Sequence, residues 1–101
     1  MLKEEWKQKI LSELQQYPQR QYIRRLALFG SQVRGRKTGR SDVDLLVTFE
    51  PNAPVGFFEF VRFQQYLEAR LGRPVDLVTE QGLSRYFRDR VIKQAEVVYG
   101  G

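Results

Sequence analysis

ALFGSQVRGRKTGRSDVDLLVTF, residues 27 to 49, sets two apolar runs on either side of a segment that has almost no apolar residues. Ile23, Leu26, Ala27, Leu28 and Phe29 lead into Gly30, and a run this short and this apolar predicts a buried strand rather than a helix. The second run, Asp42 to Phe49, alternates at its start and turns apolar in VDLLVTF, the pattern of a central strand buried on both faces beyond its polar beginning. Between them, Ser31 to Ser41 is rich in Gly, Arg and Lys and predicts a helical turn with an exposed loop.

Upstream, Leu2, Trp6, Ile10 and Leu14 recur at helical spacing with Pro18 just beyond, so residues 2 to 16 predict an amphipathic helix lying across a sheet. Downstream, Pro51 and Pro54 bound a loop. Phe57, Phe60, Val61, Gln64, Leu67 and Leu71 then mark a helical stripe that stops at Gly72, where a left-handed cap is easy, with Pro74 following. PVDLVT, residues 74 to 79, predicts a third strand. Leu83, Tyr86, Phe87, Val91 and Ala95 predict a last helix, and the closing VVY offers an edge strand. With 101 residues and no repeat or linker, the expectation is a single domain spanning 1–101, of α+β class, with three to four strands in one small mixed sheet and helices packed on it.

Composition narrows the chemistry. Hydrophobic residues at 42% and charged residues at 29% describe a chain that folds. No apolar run reaches the roughly 18 residues of a membrane span, and MLKEEWKQKI has acids where a signal peptide needs an apolar stretch, so a soluble cytoplasmic protein is expected. Cysteine and histidine are both absent. That removes disulfides, thiolate metal sites, His-based general bases and the usual zinc sites, and leaves carboxylates and oxygen-loving metals. Seventeen Lys plus Arg against twelve Asp plus Glu give a net charge of +5, which suits a phosphate-bearing partner, nucleotide or nucleic acid alike.

The Gly30–Ser31 pair leaves the first strand at a turn, where backbone amides make an anion site. Gly30 lets a phosphate approach the backbone and Ser31 adds a hydroxyl donor. By itself the pair reads more simply as a Gly-Ser turn that ends a strand. Asp42 and Asp44 lie two apart on a strand, so their side chains share a face about 6 to 7 Å apart along the chain. Carboxylates that close repel unless a cation lies between them, and hard oxygen ligands select Mg²⁺ or Mn²⁺. The bland reading is a loop residue after Ser41 and an aspartate paired with an arginine. Asp76, between Val75 and Leu77, has no packing role in a strand and needs a partner if buried. If its strand neighbours that of Asp44, a third carboxylate joins the metal face in the manner of a two-metal phosphoryl-transfer site. On an edge strand it would simply face solvent.

Gly-Ser, ten residues, then Asp-x-Asp, as it stands in GSQVRGRKTGRSDVDLLV, resembles the signature of the DNA polymerase β-like nucleotidyltransferase superfamily. Arg34–Gly35, the Ser-Asp before the strand and VDLV with Asp76 resemble the minimal nucleotidyltransferases, a family that includes the MntA-type antitoxins paired with HEPN toxins. The likeness covers essentially the whole chain and implies the polymerase β-like palm fold. It further implies transfer of AMP from ATP to a hydroxyl with release of pyrophosphate. Gly30 and Ser31 would cradle the β and γ phosphates, Arg34 would steady them, and Asp42, Asp44 and Asp76 would hold Mg²⁺, two ions in the family's manner. Asp76 would also take the acceptor's proton.

Two functions compete on these residues. The first is an enzyme that AMPylates a HEPN toxin partner, since a chain of this length has no room for an acceptor-binding lobe. The second is a non-catalytic antitoxin that neutralises a partner by forming a complex with it; three mutually repelling acids argue against it. Arg34, Arg36, Lys37 and Arg40 could grip a triphosphate, a nucleic acid or an acidic partner, while Arg85, Arg88, Arg90 and Lys93 read as an ordinary exposed helix face. No aromatics interleave with the loop charges as a single-strand platform needs, which weighs against nucleic acid.

Overall fold

The computed structural model describes residues 3–29 and 43–100. Helix α1 spans Lys3–Gln15, strand β1 Ile23–Phe29, strand β2 Val43–Phe49, helix α2 Phe57–Leu71, strand β3 Val75–Val78, helix α3 Arg85–Gln94 and strand β4 Glu96–Tyr99. The four strands form one sheet in the order β3-β2-β1-β4. Strand β1 runs antiparallel to both β2 and β4, and β2 runs parallel to β3, so the sheet is mixed and the closing VVY does supply an edge strand.

Alternation along the inner strands divides the core in two. Leu26 and Leu28 of β1, Val43, Leu45 and Val47 of β2, and Val75 and Leu77 of β3 all point to the face covered by α1 and α2. There they meet Trp6, Ile10 and Leu14 from α1 and Phe63, Leu67 and Leu71 from α2. Ala27, Phe29 and Leu46 point to the opposite face, where Val91 of α3 packs on them. Residues 43 to 47 are buried without a break, as a central strand flanked on both faces requires. Only α3 covers this second face among the described elements, and the alternation puts Asp44 and Asp76 on it.

Helix ends follow local chemistry. The Glu59 carboxylate accepts the Gly56 N–H at 2.7 Å at the start of α2, and Gly72 ends that helix in the left-handed region, φ 68°. Ser84 caps α3 by accepting the Tyr86 N–H at 3.3 Å. Two apolar stripes are displaced from the sequence expectation. In α2 the buried seam is Phe63, Leu67 and Leu71, while Phe57 is 75% exposed; in α3 Tyr86 is 84% exposed. Both exposed rings sit in the first turn of their helix.

Joining α1 to α2, the Tyr66 hydroxyl donates to the Glu13 carbonyl at 2.6 Å, and Tyr17 stacks between Phe63 and Tyr66 with centroids 4.9 and 4.6 Å away. Burial raises the pKa of both Tyr17 and Tyr66. Among the described residues, no helix is long and apolar enough to cross a membrane.

Candidate active site

Antiparallel pairing brings together residues far apart in sequence. Phe29, the last described residue before Gly30, is the Cα partner of Asp44, so β1 ends at the height where Asp44 stands on β2. On the other flank, β2 and β3 pair in parallel with Asp44 opposite Asp76. Equivalent positions on neighbouring strands carry side chains on the same face about 4.8 Å apart. The two carboxylates are therefore side by side, as the sequence reading required of neighbouring strands.

Their surroundings differ. Asp44 is 7% exposed, the one polar residue buried among the described residues. Asp76 lies on the edge strand and keeps much of its surface in water. Its carboxyl is nevertheless held above the ordinary carboxylate range, first because it is partly withdrawn from water and then because the Asp44 charge lies beside it. A buried carboxylate with a second carboxylate at the same height is a donor set for a hard divalent cation, which would relieve both the desolvation and the repulsion. These residues fit such an ion. Among the described residues no group of three or more His, Cys, Asp or Glu could hold a metal; Asp42, the third carboxylate expected from sequence, lies outside them, as do Gly30, Ser31, Arg34, Arg36, Lys37 and Arg40.

The edge of β3 is not bare. The Glu68 carboxylate accepts the Val75 N–H at 2.9 Å and the Gln64 side-chain amide donates to the Val75 carbonyl at 2.8 Å, both from α2. Sequence reading placed Gln64 in an apolar stripe and passed over Glu68; the signal was a polar pair four residues apart beside Phe63 and Leu67, since such a pair shares a helix face. Arg88 also departs from expectation. It donates to the Glu80 carbonyl at 3.0 Å and to the Leu83 carbonyl at 3.3 Å, tying down the β3–α3 connection instead of standing in solvent.

Over residues 7–98 the sequence matches the model of the nucleotidyltransferase domain family. The chain belongs to that family. A protein adenylyltransferase, MntA, of Thermococcus cleftensis is 42% identical over 76% of this chain and 74% of its own length. Among solved structures, a provisionally named minimal nucleotidyltransferase is 33% identical and superposes with a TM-score of 0.69, covering 90% of this chain and 91% of that one. A toxin–antitoxin structure with AMP-PNP is 25% identical with the same TM-score, covering 94% of this chain and 73% of that one. The mixed sheet with helices on it is thus the nucleotidyltransferase fold, and the family's reaction makes this nucleotidyltransferase an enzyme acting on a nucleotide.

Proposed function

We propose that residues 1–101 work as a single nucleotidyltransferase domain that transfers AMP from ATP to a hydroxyl of a partner protein in the cytoplasm, the partner being a HEPN-type toxin and the modification its antidote. The observation that carries this reading is the parallel register that stands Asp76 beside the buried Asp44 on the sheet face that α3 packs on, next to the end of β1. The MntA relative's name and the toxin–antitoxin neighbour with AMP-PNP support the choice of nucleotide and partner.

Asp42, Asp44 and Asp76 would hold Mg²⁺, as two ions, with Mn²⁺ able to replace it; bound there, the metal would neutralise charge on the triphosphate and make the acceptor hydroxyl more acidic. Gly30 and Ser31 would bind the β and γ phosphates through backbone amides and the serine hydroxyl, and Arg34 would add a charged donor. The acceptor oxygen forms a bond to the α phosphorus, the bond from that phosphorus to the bridging oxygen breaks, and pyrophosphate leaves with the electron pair. The hydroxyl proton would pass to the Asp76 carboxylate, the carboxylate of the pair that stays exposed on the edge strand. No histidine is required for this step, and the chain has none.

The test incubates the purified chain and its partner with ATP and MgCl₂ and reads the partner's intact mass. An AMP-sized increment is expected, lost when Asp42 and Asp44 are both replaced by alanine. No increment, or one that survives that double substitution, defeats the mechanism. Neutralisation of the toxin that persists in the double variant would instead indicate occlusion by complex formation.

A further inference from the structure

We infer that Gln64 and Glu68 are positioning residues for Asp76: from α2 they clamp the outer edge of β3 so that the Asp76 carboxylate stands at the height of Asp44. The inference rests on the reading of Asp44 and Asp76 as the paired metal-binding carboxylates.

Strand β3 is four residues long and, among the described strands, has β2 as its one neighbour in the sheet. Along a strand, the N–H and C=O of alternate residues face opposite edges. The Pro74 carbonyl faces inward and accepts the Val43 N–H at 3.3 Å, so the Val75 amide and carbonyl face outward. Those are the two groups that Glu68 and Gln64 occupy, at 2.9 and 2.8 Å. An unpaired edge is where register is most weakly specified and where another strand can add. The clamp acts on the residue directly before Asp76.

Apolar packing sets the register only coarsely. Val75 and Leu77 are 3% and 5% exposed, so a one-residue slip, which would bury Asp76 and expose both, is already forbidden. Burial does little to resist sliding or tilting of the strand by an ångström, yet a misplacement of about 1 Å in a catalytic group can cost on the order of 100-fold in rate. Directional hydrogen bonds from a rigid helix hold at that scale. Gln64 and Glu68 are four residues apart on one face of α2, and Phe63, Leu67 and Leu71 on the adjoining face fix that helix in the core.

The experiment titrates MnCl₂ into the isotopically labelled chain and follows paramagnetic broadening of the Asp44 and Asp76 amide signals, with amide hydrogen exchange measured on the same samples. Gln64→Met and Glu68→Met, which keep the side-chain volume and remove the hydrogen bond, are expected to raise the Mn²⁺ concentration for half-broadening by about 10- to 100-fold. Exchange at Val75, whose amide bonds to Glu68, should accelerate in Glu68→Met, while Leu45 and Leu46 in β2 keep wild-type protection in both variants. Glu68→Gln, which retains an acceptor oxygen, should restore Mn²⁺ binding to within roughly threefold of wild type. Wild-type Mn²⁺ binding in Glu68→Met, or a loss in Glu68→Gln equal to that in Glu68→Met, overturns the clamp. Collapse of β2 protection in both methionine variants would show that the pair serves the whole fold, and would also overturn it. A wild-type chain that binds no Mn²⁺ defeats the carboxylate-pair reading on which the clamp depends. The expected Mn²⁺ pattern without AMP transfer would remove the proposed function and leave the clamp standing.

Discussion

Replacing Asp76 by asparagine should make the metal-free protein more stable and at the same time inactive. Asp44 and Asp76 occupy paired positions on neighbouring strands, and two unit charges about 5 Å apart repel by roughly 3 kcal/mol at an effective dielectric near 20 and by under about 1 kcal/mol in bulk water. Asp76 is solvent-facing, so the screened end of that range applies and the substitution should gain about 1 kcal/mol at neutral pH. For a chain of this size that corresponds to a rise in Tm of about 4 to 8 °C. The pH dependence has a definite sign. Asp76 holds its proton more tightly in the folded state than in the unfolded chain, where an aspartate titrates near 3.9, so the folded state is favoured while the group is protonated. Stability is then lost as pH rises from the unfolded value through the raised folded one. The advantage of Asp76→Asn should be absent at pH 3, grow across that window and level off by pH 7. Thermal melts in EDTA buffers across this range measure it, and MgCl₂ should raise the Tm of wild type more than that of the variant. A lower Tm for Asp76→Asn in EDTA at pH 7, or equal increments at pH 3 and pH 7, would refute the reasoning.

Leu67 is fully buried between α2 and the sheet, so Leu67→Ala should cost about 3 to 5 kcal/mol in urea unfolding; a loss below about 1 kcal/mol would show that the core there closes over the gap. Gly72 has a φ of 68° with nothing within 4 Å of an added Cβ, so Gly72→Ala should cost about 1 kcal/mol by backbone strain alone, and Gly72→Asn less, judged by the same unfolding curves. Of the five tyrosines, Tyr17 and Tyr66 should ionise last in an absorbance titration at alkaline pH, because burial raises both. Their folded-state pKa values exceed the unfolded value near 10, so stability should fall as pH climbs from there through the folded values, and Tyr17→Phe should reduce that fall.

Element type and order were legible in the sequence because short apolar runs, helical stripes and a glycine before a proline are local signals. The Ile23–Phe29 strand and the Phe57–Leu71 helix end where the residues said they would. Which side of a helix faces the core was less legible: an aromatic at helical spacing looks alike whether or not the sheet lies beneath it, so Phe57 and Tyr86 read as core and stand in solvent, while Phe63 was passed over. The Gly-Ser and Asp-x-Asp spacing carried the resemblance to the nucleotidyltransferases, and the family match over residues 7–98 bears that resemblance out. Asp76 was ambiguous by itself, because a solvent-facing edge aspartate and a metal ligand share one sequence. The tertiary structure shows that it is an edge aspartate and that it pairs in register with Asp44. Strand order and register are non-local, set by how β1, β2 and β3 bury their alternate residues against α1 and α2, and that packing turns Asp76 toward Asp44 and lets two side chains of α2 hold the strand that carries it.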